Sequence, residues 1–398
     1  MPTRKLTDPM IRALKSPPRG QITFYDATLP RFGLRVSSGG ARTWVVFYRL
    51  GGRMRRLSLG TYPLLKLADA RAKAKAALAA VTQGDDPAAE KRAEREAPTF
   101  RELVAAYLEH HAKPKKRSWR EDERMLQTYV PAAWFSMKAA SITRRDIREL
   151  VESKARRTPV MANRLLACLH RTFNFGIRWD MTEANPCAMV QRPGLERSRD
   201  RVLTADEIRK VWRAAEAEDE INAALFKLYF LTAQRGGELR SIRWEDIDLE
   251  EAVWTIPGER SKNGRPHRVP LSAPAVELLR ALEAGRVDNE PWVFASVGVG
   301  GYRATVAKAL RRIHETSGVR DFTPHDIRRS VATHLASMGV QRLTISKLLN
   351  HVERGITAVY ERHSYDPEKR AALNAWAARL EQIVSGEPAR AKVIPLRA

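Results

Sequence analysis

Residues 323–360 read TPHDIRRSVATHLASMGVQRLTISKLLNHVERGITAVY. Thr323 is a suitable N-cap, and Pro324 fits the first helical position, where its missing N–H is no loss. His325 and Arg328 then stand three apart on one helix face. They fall in the first turns, where backbone N–H groups and the helix dipole favour an anion. Arg329 is the competing arginine on the neighbouring face. Further along, Ile345, Leu348 and Leu349 form the apolar stripe of a short helix, and His351 follows its end. Tyr360 lies nine residues later on a further short helix, with Tyr365 as the nearby alternative. The helices expected here are 324–338, 341–349 and 353–362. Imidazole, guanidinium and phenol are groups that move protons, grip phosphate and attack it.

Upstream, residues 231–248 read LTAQRGGELRSIRWEDID. Arg235 stands where one helix ends, and Gly236-Gly237 is expected to turn the backbone before the next. Glu238 is placed to hold the arginine. Lys262 falls at the tip of a hairpin, with Asn263-Gly264 as turn residues between the strands AVWTIP and HRVPLS. Taken singly these are a surface arginine beside a turn and a solvated lysine. Taken in order, Arg235, Lys262, His325, Arg328, His351 and Tyr360 are the components of metal-free phosphoryl transfer on a nucleic-acid backbone. His325-Asp326 also raises a metal-hydrolase reading. The other histidines and carboxylates lack ligand spacing, however, and Arg328 would repel a cation.

The chain has 398 residues, a length that suits two or three domains, with a net charge of +24 and a pI near 10.4. A polyanion is the first partner to expect. The alternative is a basic protein that is merely arginine-rich. Residues 1–97 hold 19 Lys and Arg against 8 Asp and Glu, residues 98–197 hold 19 against 11, and the remainder 32 against 27. The net charge therefore falls from +11 to +8 to +5, which assigns the main DNA grip to the front half. Two cysteines, Cys168 and Cys187, exclude a disulfide framework or a cysteine-based zinc site, and fit a reducing cytoplasm. The N-terminus has no apolar signal core. No apolar run approaches the ~20 residues of a membrane span.

The pattern predicts a multidomain α+β protein. Residues 1–84 read as a small β-sheet with one helix. The hairpin RTWVVFYRL-GG-RMRRLSLG turns at Gly51-Gly52 and carries Arg53, Arg55 and Arg56 on its second arm, either as a DNA-contacting element or as a charged edge strand. Residues 85–97 read as a linker or exposed helical tether. Residues 98–192 look all-helical and open with a capping box at Thr99 and Glu102. The basic run Lys113, Lys115, Lys116 and Arg117 falls between helices, as a phosphate contact or a solvated loop. Residues 198–384 read as mainly helical with a small sheet, opening with a capping box at Thr204 and Glu207, and 385–398 as an extended tail. Leu373, Trp376 and Leu380 share one face of the last helix, to dock on a neighbouring protomer or to pack at home.

The six ordered residues resemble the active-site signature of the tyrosine recombinases, the phage integrase family. RFGLRVS, the Trp44 hairpin and LSLGTYPLLKLADARAKA resemble the arm-binding N-terminal domain of integrases carried by prophages and genomic islands. Residues 98–192 look like the family's helical core-binding domain, so the resemblance covers nearly the whole chain. One departure is Asn350, where many members carry glycine; asparagine also tolerates a positive φ.

The resemblance implies the tyrosine recombinase fold and a specific chemistry. Tyr360 attacks the scissile phosphate to form a 3′-phosphotyrosyl bond and free a 5′ hydroxyl. Arg235 and Arg328 neutralise the non-bridging oxygens, and Lys262 is the acid for the leaving oxygen. His325 is base or proton relay, and His351 a hydrogen-bond donor. Neither metal, ATP nor any other cofactor is required. The implied partners are double-stranded DNA at core and arm attachment sites and the protein itself as a tetramer, with DNA-bending or directionality factors as helpers. The alternatives are a non-cutting regulator of the same fold and a type IB topoisomerase-like enzyme.

Overall fold

The computed structural model describes residues 3–196, 199–296, 301–351 and 363–386. The chain divides into two compact units, Met1–Arg197 and Ser198–Ala398. The first holds two separate hydrophobic cores, one for the sheet and one for the helices.

The sheet runs β1 (Thr3–Arg4), β2 (Gln21–Asp26), β3 (Phe32–Ser37), β4 (Arg42–Leu50) and β5 (Arg53–Tyr62), in that spatial order, with only β1 and β2 parallel. The expected hairpin is present. Gly51 and Gly52 adopt φ of 56° and 76°, the two left-handed positions of a tight turn, so that Leu50 pairs with Arg53. Gly33 is required by its neighbour strand, since a Cβ there would lie 2.7 Å from the Phe24 carbonyl oxygen. Trp44 stacks on Phe32 at 5.2 Å and donates its indole N–H to the Leu65 carbonyl at 2.8 Å. Helix α1 (Asp8–Ala13) buries Ile11, and α2 (Leu67–Thr82) closes on the sheet through Leu67, Ala70 and Ala74, whose small side chains permit the approach.

Residues 87–96 form a helix, α3 (Pro87–Glu96), capped by Asp86 and with no buried residue, so the segment is an exposed helix rather than irregular linker. Lys91 ties it to the sheet through the Ser58 carbonyl at 2.6 Å.

The helical core comprises α4 (Phe100–Tyr107), α5 (Lys113–Lys115), α6 (Trp119–Tyr129), α7 (Arg144–Ala155) and α8 (Pro159–Arg178). The Thr99–Glu102 capping box forms reciprocally. The basic run departs from expectation. The chain leaves α4 through a π-helical turn, Leu108–Ala112, and enters α5 directly, so Lys113 and Lys115 are helical. Pro114 has no N–H for the preceding turn, and a widened turn accommodates it without ending the helix.

The second unit is built around α10 (Glu220–Thr232), which buries Leu225, Phe226, Leu228, Phe230 and Leu231 on all sides. Around it lie α9 (Ala205–Glu216), α11 (Gly236–Arg240), α12 (Ala273–Ala284), α13 (Ala307–Ser317), α14 (Pro324–Ser337), α15 (Arg342–Leu348) and a last described helix, Asp366–Ser385. A small antiparallel sheet joins β6 (Ile247–Asp248), β7 (Val253–Ile256) and β8 (His267–Pro270). Before α13, Tyr302 bridges Ala295 and the Arg303 N–H binds the Phe294 carbonyl at 2.8 Å, so the helix begins only at Ala307. Leu373, Trp376 and Leu380 pack at home. Trp376 is fully buried against His334 and donates to the Phe230 carbonyl at 2.8 Å. Among the described residues no helix is long and apolar enough to cross a membrane. Cys168 and Cys187 are buried free thiols, and burial pushes both up to about 12.

Candidate active site

Helix α14 supplies two of the expected residues. Thr323 stands at its N-cap as expected, and Asp326 completes a capping box, with the Thr323 N–H and hydroxyl on the Asp326 carboxylate at 2.9 and 2.8 Å. Asp326 is fully buried and also accepts from Arg199 at 2.8 Å and from Arg329. Asp326 is therefore engaged as a cap and ion-pair partner, and Arg329 belongs to it. Arg328 points inward instead. It is 3% exposed, and its guanidinium donates to the carbonyls of Ala233, at 3.0 Å, and Leu349.

Those two carbonyls bring two distant turns together. The first ends α10. Ala233 takes the left-handed conformation at φ 55°, so the sharp reversal expected of Gly236-Gly237 happens three residues earlier, at a residue with a Cβ. Gly236 and Gly237 instead open α11 with ordinary negative φ. The buried Gln234 anchors the turn, donating to the carbonyls of Thr232 at 2.9 Å and Leu348 at 3.0 Å. Arg235 is then the residue before α11. It donates to Glu238 at 3.2 Å and to the Asn350 carbonyl at 3.1 Å.

The second turn ends α15. Asn350 adopts φ 47°, the Asn350 N–H binds the Lys347 carbonyl at 3.1 Å, and the His351 N–H reaches back to Ser346 at 3.0 Å. This is a Schellman cap with asparagine in the position that glycine commonly fills. A helix C-terminus leaves its last carbonyls without intrahelical donors. Here side chains supply them: Gln234 and His267 on Leu348, Arg328 on Leu349, Arg235 and Asn263 on Asn350.

Glu238 completes the frame. Its buried carboxylate accepts from Arg235 and from the Lys262 backbone N–H at 3.0 Å. The Lys262 side chain itself is exposed at the tip of the β7–β8 loop, where Gly264 takes φ 77°. Thus Arg235, Arg328, the Lys262 backbone and the turn carrying His351 are joined by hydrogen bonds. Tyr360 and the expected helix 353–362 lie outside the described residues.

Electrostatics sharpens the picture. Burial, followed by the nearby Arg235 charge, lowers Arg328 to about 10, with Glu238 opposing; the guanidinium stays charged at neutral pH. His325 is lowered by burial first, then by Arg328 and Arg329, and more weakly by Lys262. His351 is lowered by burial first, then by Arg328, Arg235 and His325. Both residues keep an exposed edge, and the lowering favours the neutral imidazole, the form able to accept or relay a proton. His267 is pushed down to about 3 by burial, and as a neutral donor it binds the Leu348 carbonyl at 3.0 Å.

Sequence reasoning missed Gln234, Ser261, Asn263 and His267. The signal for His267 was the alternation of its strand, which turns His267 and Val269 inward and Arg268 outward. The others carry no local signal, because their partners lie 87 to 114 positions away.

The expected DNA-contact residues divide. Arg53 and Arg56 are exposed on β5, which is an edge strand. Arg55 instead pairs with Asp86, which also accepts from the Tyr48 hydroxyl at 2.5 Å. Lys115 is exposed, and Lys113 bonds Glu109 at 2.5 Å while lying 5.5 Å above the Trp119 ring. Arg117 is exposed but not without a partner. Lys116 pairs with the buried Asp122, which also accepts from the Tyr107 hydroxyl at 2.6 Å and lies 3.6 Å from Arg171. Its charge is thus engaged by the helical core rather than left in a solvated loop.

Comparisons with known proteins follow this anatomy. Residues 201–366 match the Phage integrase family and residues 6–94 an Arm DNA-binding domain. The prophage integrase IntZ of Escherichia coli K12 is 29% identical over 385 residues, covering 91% of this chain and 92% of that protein. A lambda integrase dimer bound to a COC′ core site shares the fold with a TM-score of 0.52 at 18% identity, covering 85% of this chain and 96% of that one. A lambda integrase tetramer bound to a Holliday junction gives 0.52 at 19% identity, covering 82% and 96%.

Proposed function

We propose a role for each side chain from one premise: this chain belongs to the phage integrase family, the tyrosine recombinases. It is a site-specific DNA recombinase. The observation that carries the assignment of residues is the hydrogen-bonded frame joining Arg235, Arg328, the Lys262 loop and the His351 turn.

In this reading the frame receives one scissile phosphate. Arg235 and Arg328 bind its non-bridging oxygens, held rigid beforehand by carbonyls and by Glu238, so little reorganisation accompanies charge build-up. Tyr360 attacks phosphorus, forming the O–P bond of a 3′-phosphotyrosyl intermediate as the P–O5′ bond breaks. Lys262 gives a proton to the departing 5′ oxygen. Neutral His325 takes or relays the tyrosine proton, and neutral His351 donates a hydrogen bond to the phosphate. Attack by the 5′ hydroxyl of a second strand reverses the steps and returns the tyrosine. The covalent link conserves the bond energy, so the reading requires neither ATP nor metal.

The remaining assignments follow the same premise. Residues 1–84 bind arm sites, with exposed Arg53 and Arg56 on phosphate, and 85–97 connect them to the next domain. Residues 98–192 grip the core site, with Lys115 and Arg117 toward the backbone. Residues 198–384 carry the chemistry, and 385–398 form the tail. The solved lambda integrase tetramer supports a tetramer here. DNA-bending or directionality factors assist, and the place of action is the cytoplasm, in keeping with two buried free thiols.

Covalent capture tests the reading. Wild-type protein and Tyr360→Phe are incubated with host genomic DNA and stripped in strong denaturant, and the attached DNA is sequenced. An adduct confined to wild type establishes the nucleophile and reveals the target. An adduct retained by Tyr360→Phe moves the nucleophile to Tyr365. DNA held natively without any adduct supports the non-cutting regulator.

A further inference from the structure

The sequence bears on Asn350 only through its backbone, as a residue that tolerates a positive φ. The structure gives its side chain a separate task. The Asn350 Oδ1 accepts from Asn263 Nδ2 at 2.6 Å, and its Nδ2 donates to the Ser261 hydroxyl at 3.1 Å. Ser261 and Asn263 are the two residues flanking Lys262. They are joined to each other at 2.8 Å, and Asn263 Oδ1 also accepts the Arg265 N–H at 3.1 Å. The Asn350 carbonyl receives Arg235 at 3.1 Å and Asn263 at 3.3 Å. Asn350 therefore touches both sides of Lys262, the arginine and, through the chain, His351.

We propose that Asn350 is a positioning residue that latches the Lys262 loop onto the arginine pair, so that the lysine meets the leaving oxygen of the phosphate those arginines hold. Lys262 sits at the tip of a loop, and its own side chain is exposed. Glu238 restrains its backbone N–H from one side. The asparagine restrains both neighbours from the other. Glycine at 350 would keep the left-handed cap, the Arg235 contact and the His351 geometry, because these use only the main chain. What glycine lacks is the amide that clasps the loop. The latch acts through Lys262, and so rests on the reading of Lys262 as the acid.

A change of leaving group separates the two claims. Single-turnover cleavage by full-length protein is measured on the captured target site with a normal scissile phosphate, and with sulfur in place of the bridging 5′ oxygen. A thiolate departs without a proton, so loss of the acid is felt only on oxygen. Lys262→Ala is expected to slow the oxygen substrate by about 100-fold or more and to recover on sulfur. Asn350→Gly and Asn263→Ala are each expected to slow oxygen about tenfold and to recover on sulfur. The double variant should be slowed by much less than the product of the two single effects, since both remove the Asn350–Asn263 contact. If Lys262→Ala fails to recover on sulfur, the lysine is not the acid and the latch falls with it. If Lys262→Ala recovers while Asn350→Gly is unaffected on oxygen, or equally slow on both substrates, the latch alone is overturned.

Discussion

Arg328 and Arg56 are the same residue type in two opposite settings. Arg328 lies in the core of the second unit with its guanidinium held by two carbonyls, beside a second arginine. Arg56 lies on an edge strand in solvent. A buried, prealigned cation stabilises charge where it develops and so acts on rate. An exposed one gains its energy largely from counterion release, and so acts on salt-dependent affinity. In the proposed reading, arginine in two dielectric environments separates holding DNA from cutting it.

The comparison breaks most visibly at the nucleophile. Tyr360→Phe should abolish cleavage while leaving the affinity and salt slope of DNA binding unchanged; a gel-shift titration beside a cleavage assay measures both. A large fall in affinity would mean that the cutting site also does the holding.

Next in size, Arg328→Ala and Arg235→Ala should each lower the single-turnover rate by about 100- to 1,000-fold, with much smaller changes in binding. Arg328→Lys should not restore the rate, because an ammonium cannot reach both the Ala233 and Leu349 carbonyls as a planar fork does. Recovery in the lysine variant would show that charge alone suffices there.

A third prediction concerns the frame rather than the phosphate. The His267 imidazole is lowered in the fold, so the unfolded chain binds its proton first as pH falls. Stability is then complete above the unfolded value, about 6.5, and declines as pH drops toward the folded value near 3. Chemical denaturation at pH 7 and pH 4 should show a loss on the order of 3 kcal/mol from this residue. His267→Gln should be less stable at pH 7 but should lose less between the two pH values. An unchanged pH dependence in that variant would remove His267 from the account.

The smallest effect is expected at the edge strand. Arg53→Ala and Arg56→Ala should each reduce the salt slope of arm-site binding by about one, and leave core-site cleavage at its wild-type rate. A matching change for Lys116→Ala is not expected, since that lysine is paired with Asp122. Lowered thermal stability is its expected signature, visible in a melting curve.

Much of this was legible in the chain itself, wherever cause and effect lie within a few residues. Capping boxes at Thr99, Thr204 and Thr323 need only a hydroxyl and a carboxylate three positions apart. The Gly51-Gly52 turn needs only two residues that accept a positive φ. Residue types and order singled out Arg235, Lys262, Arg328 and His351, whose backbones or side chains the fold joins in one hydrogen-bonded frame. The local method erred where a distant partner decided. Ala233 turns left-handed instead of the adjacent glycine pair, with Gln234 and Arg328 fastening that turn to the end of α15. Lys116 looked free until Asp122 folded beneath it.

By itself, then, the sequence determined the elements, their caps and the list of reactive groups, since propensity, capping and side-chain chemistry are properties of neighbouring residues. Only the tertiary structure decided which arginine turns inward and which remains in solvent. It also decided that Leu373, Trp376 and Leu380 pack at home, and that the carbonyls ending one short helix gather Gln234, Arg235, Asn263, His267 and Arg328 around a single turn. Unsatisfied carbonyls at a buried helix end demand donors, and only the folded chain brings those donors within reach.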